Sequence, residues 1–216
     1  FARDFEEYIE KDFRDAFLHG DTPQMRTIPV GSVLESRLNV APYSDVRKIV
    51  AGAREPIVVQ NCVCRQSNDV IGDPCTHSDI RETCFVFGDS GRTVLERGCG
   101  RQIDRKEALR LLDRAEEAGF ILQPQNSRSP EFICCCCGCC CGVLTTAKKL
   151  PNPASFFATN YHAEVDAGAC NGCLVCETRC QMQAIACDDG PAAVKVERCI
   201  GCGLCVTTCA TGAVRL

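Results

Sequence analysis

The sequence predicts an α+β chain in two parts: a helical, cysteine-rich domain over residues 1–157 and a small second domain over 158–216. Three observations carry this expectation. Apolar residues recur at helical spacing over 1–19 and 104–118. Ile57, Val58 and Val59 form a short apolar run of the kind found in buried strands. Finally, 21 of the 216 residues are cysteine, a level at which sulfur chemistry helps to hold a fold together.

Composition narrows the classes. Hydrophobic residues make up 45% and charged residues 24%, which fits neither a disordered nor a collagen-like chain. No run approaches the 18 apolar residues of a spanning helix. No signal peptide heads the chain, so a cytoplasmic protein with reduced thiols is expected. Because it opens on Phe1 rather than Met, the chain is expected to be processed or to lack an N-terminal part. A net charge of -4 is far from that of a basic nucleic-acid binder.

Taken in order, Phe1, Phe5, Ile9, Phe13 and Phe17 make an amphipathic helix ended by Gly20. Such a face packs on its own domain or docks a partner. Pro23, Pro29 and Pro42 break up the next stretch. Ser44 is placed to cap a helix running to about Ala51, with Gly52 after it. The Ile57–Val59 strand leads into Cys62 and Cys64, where a ligand can be fixed on a rigid element. Gly88-Asp89-Ser90-Gly91 reads as a turn without a P-loop lysine. Asp104 and Glu107 open the clearest helix as a capping-box-like pair, Leu111, Leu112, Ala115 and Ala118 share a face, and Gly119 ends it. A short helix is expected from Val143 to Leu150. Pro151 and Pro153 then mark a linker.

The cysteines argue for metal. Their number is odd, and Cys134 to Cys137 and Cys139 to Cys141 are nearly contiguous. Adjacent cysteines rarely reach disulfide geometry. The strongest pattern is a repeat. Cys170, Cys173, Cys176 and Cys180 follow Cys-x2-Cys-x2-Cys-x3-Cys, and Cys199, Cys202, Cys205 and Cys209 repeat it 29 residues later. Ala184-Ile185 and Ala213-Val214 share that offset, so packing residues are duplicated with the ligands. Three thiolates at every third residue of a turning loop point at three corners of a cubane. Gly172, Gly201 and Gly203 let the backbone curl and offer N–H groups to sulfur. Zinc favours paired Cys-x2-Cys knuckles over such runs.

Over about residues 160–216 the chain resembles the bacterial-type dicluster ferredoxins. The resemblance implies two [4Fe-4S] clusters, one held by Cys170, Cys173, Cys176 and Cys209, the other by Cys199, Cys202, Cys205 and Cys180. That family usually has Pro after the last cysteine of each motif, where Gln181 and Ala210 stand here. Cys187, in the turn between the motifs, reads as a free structural cysteine.

Twelve cysteines remain between 62 and 141. Cys62, Cys64, Cys75 and Cys84 would complete one further iron–sulfur site, with Arg65 offsetting its charge; Cys99, between two glycines, fits less well. In the run Cys134, Cys135, Cys136, Cys137, Cys139, Cys140, Cys141, neighbouring side chains cannot all face one cluster. The run therefore serves two sites, or one site with bystanders, and the two groups can share ligands. Iron–sulfur and zinc both stay open here. His77, between Cys75 and Cys84, is the one histidine placed to contribute.

Most of residues 20–216 resembles, more loosely, bacterial multi-cluster iron–sulfur proteins with a Cys-x-Cys-Arg element and a Cys-rich run before a dicluster end. Cys136-Cys137-Gly138 and Cys140-Cys141-Gly142 also resemble the Cys-Cys-Gly signature of heterodisulfide-reductase-like subunits, which hold noncubane clusters. These resemblances imply low-potential electron transfer, near -400 mV in order of magnitude, as a ferredoxin-like subunit or partner of an anaerobic oxidoreductase complex. One alternative is a redox enzyme with a catalytic, noncubane cluster in the central region; another is an iron–sulfur sensor. One or two clusters beyond the two cubanes are expected. Two cubanes would take the charge from -4 to about -8.

Overall fold

A computed structural model describes residues 2–13, 15–16, 22–31 and 45–216. Helix and sheet are mixed along the chain, as in an α+β fold. The centre is a five-stranded antiparallel sheet. Its strands are β2 (Ile57–Asn61), β3 (Glu82–Phe87), β4 (Gly100–Ile103), β5 (Ile121–Pro124) and β6 (Phe132–Cys136), in the order β4-β2-β3-β6-β5. The short strand β1 (Met25–Arg26) pairs in parallel with β7 (Phe157–Ala158).

The two faces of this sheet differ, because strand side chains alternate. Ile57, Val59, Phe85, Ile133 and Cys135 face the helices Val46–Gly52 and Arg105–Glu117, which bury Ile49, Val50, Ala108, Leu112 and Ala115 against them. The opposite face carries Gln60, Cys84 and Cys134 side by side across three strands, with Cys136 two residues further on. Sulfur thus occupies one face of the sheet and a largely hydrocarbon core the other.

The Arg105–Glu117 helix forms where its cap predicts: Asp104 accepts from the Glu107 N–H at 2.7 Å. Two other expectations are corrected. The Val46–Gly52 helix is capped by Asp45, whose carboxylate accepts from the N–H groups of Arg47 and Lys48, while Ser44 lies outside the described residues. Gly88 to Gly91 opens the helix Gly88–Glu96 instead of a turn. Gly91 approaches the backbone of Pro56 and Val86 so closely that a Cβ there would stand 3.0–3.1 Å from their carbonyl oxygens. The close packing of this helix on the sheet overrides the turn composition.

The N-terminal segment is α-helical over Ala2–Tyr8 and continues as a π-helical turn, Ile9–Phe13. Phe1, Phe17 and Gly20 lie outside the described residues. The helix packs along the helix Val63–Ile71, and Ile9 is buried against Gly142. The described part of the apolar stripe therefore covers its own domain.

The C-terminal cysteines lie between the strands of two small antiparallel ribbons. Strand β8 (Glu164–Val165) pairs with β11 (Val214–Arg215), and β9 (Ile185–Ala186) with β10 (Ala193–Val194). Met182, Ala184, Ile200 and Leu204 pack into one apolar cluster with Ile121, Cys136 and Cys141 of the central sheet region. The sulfur face of the sheet is thereby roofed by the C-terminal segment.

Candidate metal centres

The 29-residue repeat seen in the sequence is also a repeat of contacts. Val214 pairs with Val165 and Arg215 with Glu164; moving each residue to its repeat mate gives Ile185 with Val194 and Ala186 with Ala193, the pairs observed in the other ribbon. The sulfur contacts follow the same exchange. The Ala163 N–H donates to Cys199 Sγ at 3.3 Å, and the Ala192 N–H donates to Cys170 Sγ at 3.4 Å. Each half of the repeat supplies a backbone donor to a sulfur of the other. The Ala184 N–H donates to Cys180 Sγ at 3.2 Å. Such bonds stabilise sulfur carrying negative charge.

Cys180, Cys199, Cys202 and Cys205 line one cavity with Ala163 and Met182. Burial pushes the Cys202 thiol up to about 12, and burial together with the neighbouring cysteine charges raises Cys205 further. Four thiols around one largely apolar cavity would be costly as free anions, and a bound cation removes that cost. Gly201, at φ 66°, leaves no room for a Cβ beside the Tyr161 carbonyl and Thr159, so the loop wraps as closely as the sequence expectation required.

Cys170, Cys176 and Cys209 share a packed cluster with Cys187, and Cys180, Cys199 and Cys205 take part in the same cluster. Cys173 is exposed. Cys187 stands in the β9–β10 turn, as expected, but directly beside Cys176. Burial and the charge and hydrogen bond of Cys187 raise Cys176 to about 11. Nothing in the sequence marks this proximity.

The central cysteines form two groups that cut across their order in the chain. Six belong to a continuous circuit. Cys84 lies opposite Cys134 in the sheet; Cys134 neighbours Cys136, Cys136 neighbours Cys141, Cys141 neighbours Cys64, and Cys64 neighbours Cys62. Cys62 and Cys141 each stand at the start of a helix, Val63–Ile71 and Gly142–Lys148. Hydrogen bonds from Cys136 and Cys64 bring Cys141 down to about 5 despite its burial, and bonds from Cys136 and Cys84 lower Cys134. Within the circuit these two thiols are the ones held below their ordinary value. Gln60 Nε2 donates to Cys84 Sγ at 3.4 Å.

The second group is Cys75, Cys137, Cys139 and Cys140, whose sulfurs all lie within 4.8 Å of one another. Cys75 Sγ is 3.7 Å from Cys137 Sγ and 3.6 Å from Cys139 Sγ, and Cys140 Sγ is 3.6 Å from Cys139 Sγ. Cys75 therefore parts from Cys62, Cys64 and Cys84 and joins three members of the run. Burial pushes Cys139 up, but hydrogen bonds from Cys137, Cys75, Cys140 and Thr76 outweigh it and bring the thiol to about 7.

Arg65 stands between the two groups with no solvent exposure. Its guanidinium donates to the Cys135 carbonyl at 3.3 Å, to Cys137 Sγ at 3.6 Å and to the Thr83 hydroxyl, and stacks 4.4 Å over the Phe120 ring. Burial alone would lower its pKa; the charges of Cys62, Cys137 and Cys136 more than compensate. A buried cation needs anions near it, and here these are sulfurs.

Two cysteines of the central region stay apart. Cys135 points into the apolar core beneath the helices, and Cys99 is exposed with only the Arg97 carbonyl near its sulfur. His77 meets the Phe120 ring edge-on, with centroids 5.2 Å apart. One residue read in the sequence only as a missing proline acquires a purpose. Gln181 Oε1 accepts from the Gly138 N–H, its Nε2 donates to the Gly119 carbonyl, and Lys148 Nζ holds the Gly138 carbonyl. The residue after Cys180 thus clamps the turn that carries Cys137, Cys139 and Cys140.

No helix among the described residues is long and apolar enough to cross a membrane. The chain matches no family model, no curated protein and no solved structure.

Proposed function

We propose that this chain is a multi-centre iron–sulfur protein of dicluster-ferredoxin type, passing single electrons to a redox partner in a larger complex. The observation that carries the reading is the reciprocal exchange of backbone donors, Ala163 to Cys199 and Ala192 to Cys170, at the offset of the cysteine repeat. On this reading residues 158–216 form a dicluster domain. Cys170, Cys173, Cys176 and Cys209 hold one [4Fe-4S] cluster, and Cys199, Cys202, Cys205 and Cys180 hold the other. Such clusters supply reversible uptake of one electron each. The chain's own contribution is to fix the ligands, aim N–H dipoles at the sulfurs and keep water from Cys202 and Cys205, all of which set the potential. The six-cysteine circuit is proposed as a further iron–sulfur site, with Gln181 joining the Cys180 loop to the central cysteine turn.

The donor set fits the group. The described residues offer thiols, N–H donors to sulfur and a buried guanidinium. The cavity at Cys180 is apolar, with Met182, Ala184, Ile200 and Leu204 around it. The test is an anaerobic redox titration of the intact chain followed by EPR. Reduction at low potential, with two interacting centres, is the expected result. A chain that stays EPR-silent and colourless at every potential would reject the reading.

A second reading is favoured by one observation. Six sulfurs in the central circuit exceed the four a cubane takes, as a noncubane, catalytic centre would require. Turnover of a disulfide substrate with a reduced electron carrier, abolished by Cys136→Ser and Cys141→Ser, would decide for it. Electron transfer without turnover would decide against it.

A further inference from the structure

We infer that Cys75, Cys137, Cys139 and Cys140 hold one tetrahedrally coordinated divalent metal ion, zinc or ferrous iron, and not an iron–sulfur cluster. Sulfur spacing carries the argument. A metal–thiolate bond of about 2.3 Å in tetrahedral geometry sets neighbouring sulfurs about 3.8 Å apart. The Cys75–Cys139, Cys139–Cys140 and Cys75–Cys137 sulfur pairs are 3.6, 3.6 and 3.7 Å apart, and all four sulfurs fall within 4.8 Å of one another. Four thiolates that each bind a different iron of a cubane must leave room for the core between them and stand much farther apart. Among the described residues, the Cys75 group is the one set of potential ligands this close.

The local chain is shaped for a single ion. Cys75 arrives from the loop after the Val63–Ile71 helix, and the other three sulfurs come from one turn following β6. Adjacent cysteines cannot reach one ion from a regular strand or helix; this turn lets them. The Cys141 N–H bonds the Cys137 carbonyl at 3.1 Å, and Gly138 is pinned on both its N–H and its carbonyl by Gln181 and Lys148. A Cβ at Gly138 would meet the Gln181 carbonyl oxygen at 2.9 Å, so glycine is needed for that approach. Four thiolates around a divalent ion leave a charge of -2. Arg65, donating to Cys137 Sγ at 3.6 Å, offsets part of it from the buried side. Cys139 is exposed and gives the ion a way in. The four cysteines Cys75, Cys137, Cys139 and Cys140 belong neither to the six-cysteine circuit nor to the C-terminal motifs, so the inference stands whether or not the C-terminal reading is right.

The test is a metal count on the whole chain, purified without oxygen, as wild type and as Cys75→Ser and Cys139→Ser. Each substitution is expected to remove one metal ion per chain, with all other iron and the EPR signals of the reduced protein unchanged. The element lost distinguishes zinc from ferrous iron. Loss of about four irons, as for a cubane, or of no metal, would overturn the inference. Anomalous diffraction from the wild type at the zinc and iron edges serves if the variants do not fold. One peak equidistant from the four sulfurs supports the single ion; a multi-metal peak, a disulfide or no peak refutes it.

Discussion

Replacing Arg65 by glutamine removes a buried cation from beside Cys137 without opening a large cavity. In the native chain the guanidinium is fully buried and 3.6 Å from Cys137 Sγ. At that distance two unit charges interact by about 5 kcal/mol at an effective dielectric constant of 20. This is a ceiling, since glutamine keeps an amide donor and the neighbourhood can relax. Losing a hydrogen bond to a charged group typically costs about 1.5–3 kcal/mol, which corresponds to roughly a 10- to 150-fold change in an equilibrium constant. Arg65→Gln is therefore expected to weaken metal retention at the Cys137 group by that factor. Arg65→Lys keeps the charge but not the fork that reaches Thr83 and Cys137 together, and should fall between. The assay is competition with a chelator at fixed pH, monitored by metal release, with circular dichroism to confirm the fold. Wild-type retention in a folded Arg65→Gln chain would refute the account of Arg65 as counter-charge to thiolates.

Further outcomes follow from other contacts. Gly201→Ala forces a Cβ into the Tyr161 carbonyl at a positive φ; iron content should fall by about four per chain, as for one cubane, and an unchanged count would contradict the role given to that loop. Cys209→Ser should cost about four irons from the other cubane, whereas Cys187→Ser should cost none and shift only the potential, since Cys187 is read as a neighbour of Cys176 and not a ligand; iron loss on replacing Cys187 would reverse the two roles. Burial raises the Cys135 thiol well above its ordinary value, so its stabilising contribution to the metal-free chain is complete below the unfolded pKa near 8.5 and is lost as pH rises beyond it. Mass spectrometry after alkylation of the metal-loaded chain at about pH 8, with the other exposed cysteines Cys139 and Cys173 held as ligands, should find Cys99 modified first and Cys135 only upon unfolding; early labelling of Cys135 would show that the core is open.

What could be read from the sequence was what lies close along the chain. The Asp104 cap, the Ile57–Val59 strand and the spacing of the cysteine repeat are local signals, and each is set by short-range geometry. The grouping of the central cysteines is not local. Cys84 meets Cys134 because β3 and β6 are sheet neighbours although 44 residues of chain lie between the two strands. Cys75 leaves its sequence neighbours because the loop after Ile71 delivers it to the turn following β6. Strand alternation explains why the run divides, with Cys134 and Cys136 on one face and Cys135 in the apolar core. It did not indicate which partners each face would meet. Gln181 shows the same limit: without proline after Cys180 the sequence suggests a looser turn, but folding brings Gly138 to its side-chain amide. Packing on the sheet likewise turned the glycine-rich Gly88 to Gly91 stretch into the start of a helix.

The most direct test of the central claim is an iron and acid-labile sulfide count on the anaerobically purified chain, paired with EPR after reduction. The account predicts at least about eight irons per chain and a spectrum of two interacting reduced clusters, as two cubanes give. Fewer than about eight irons, or iron without labile sulfide, would contradict it.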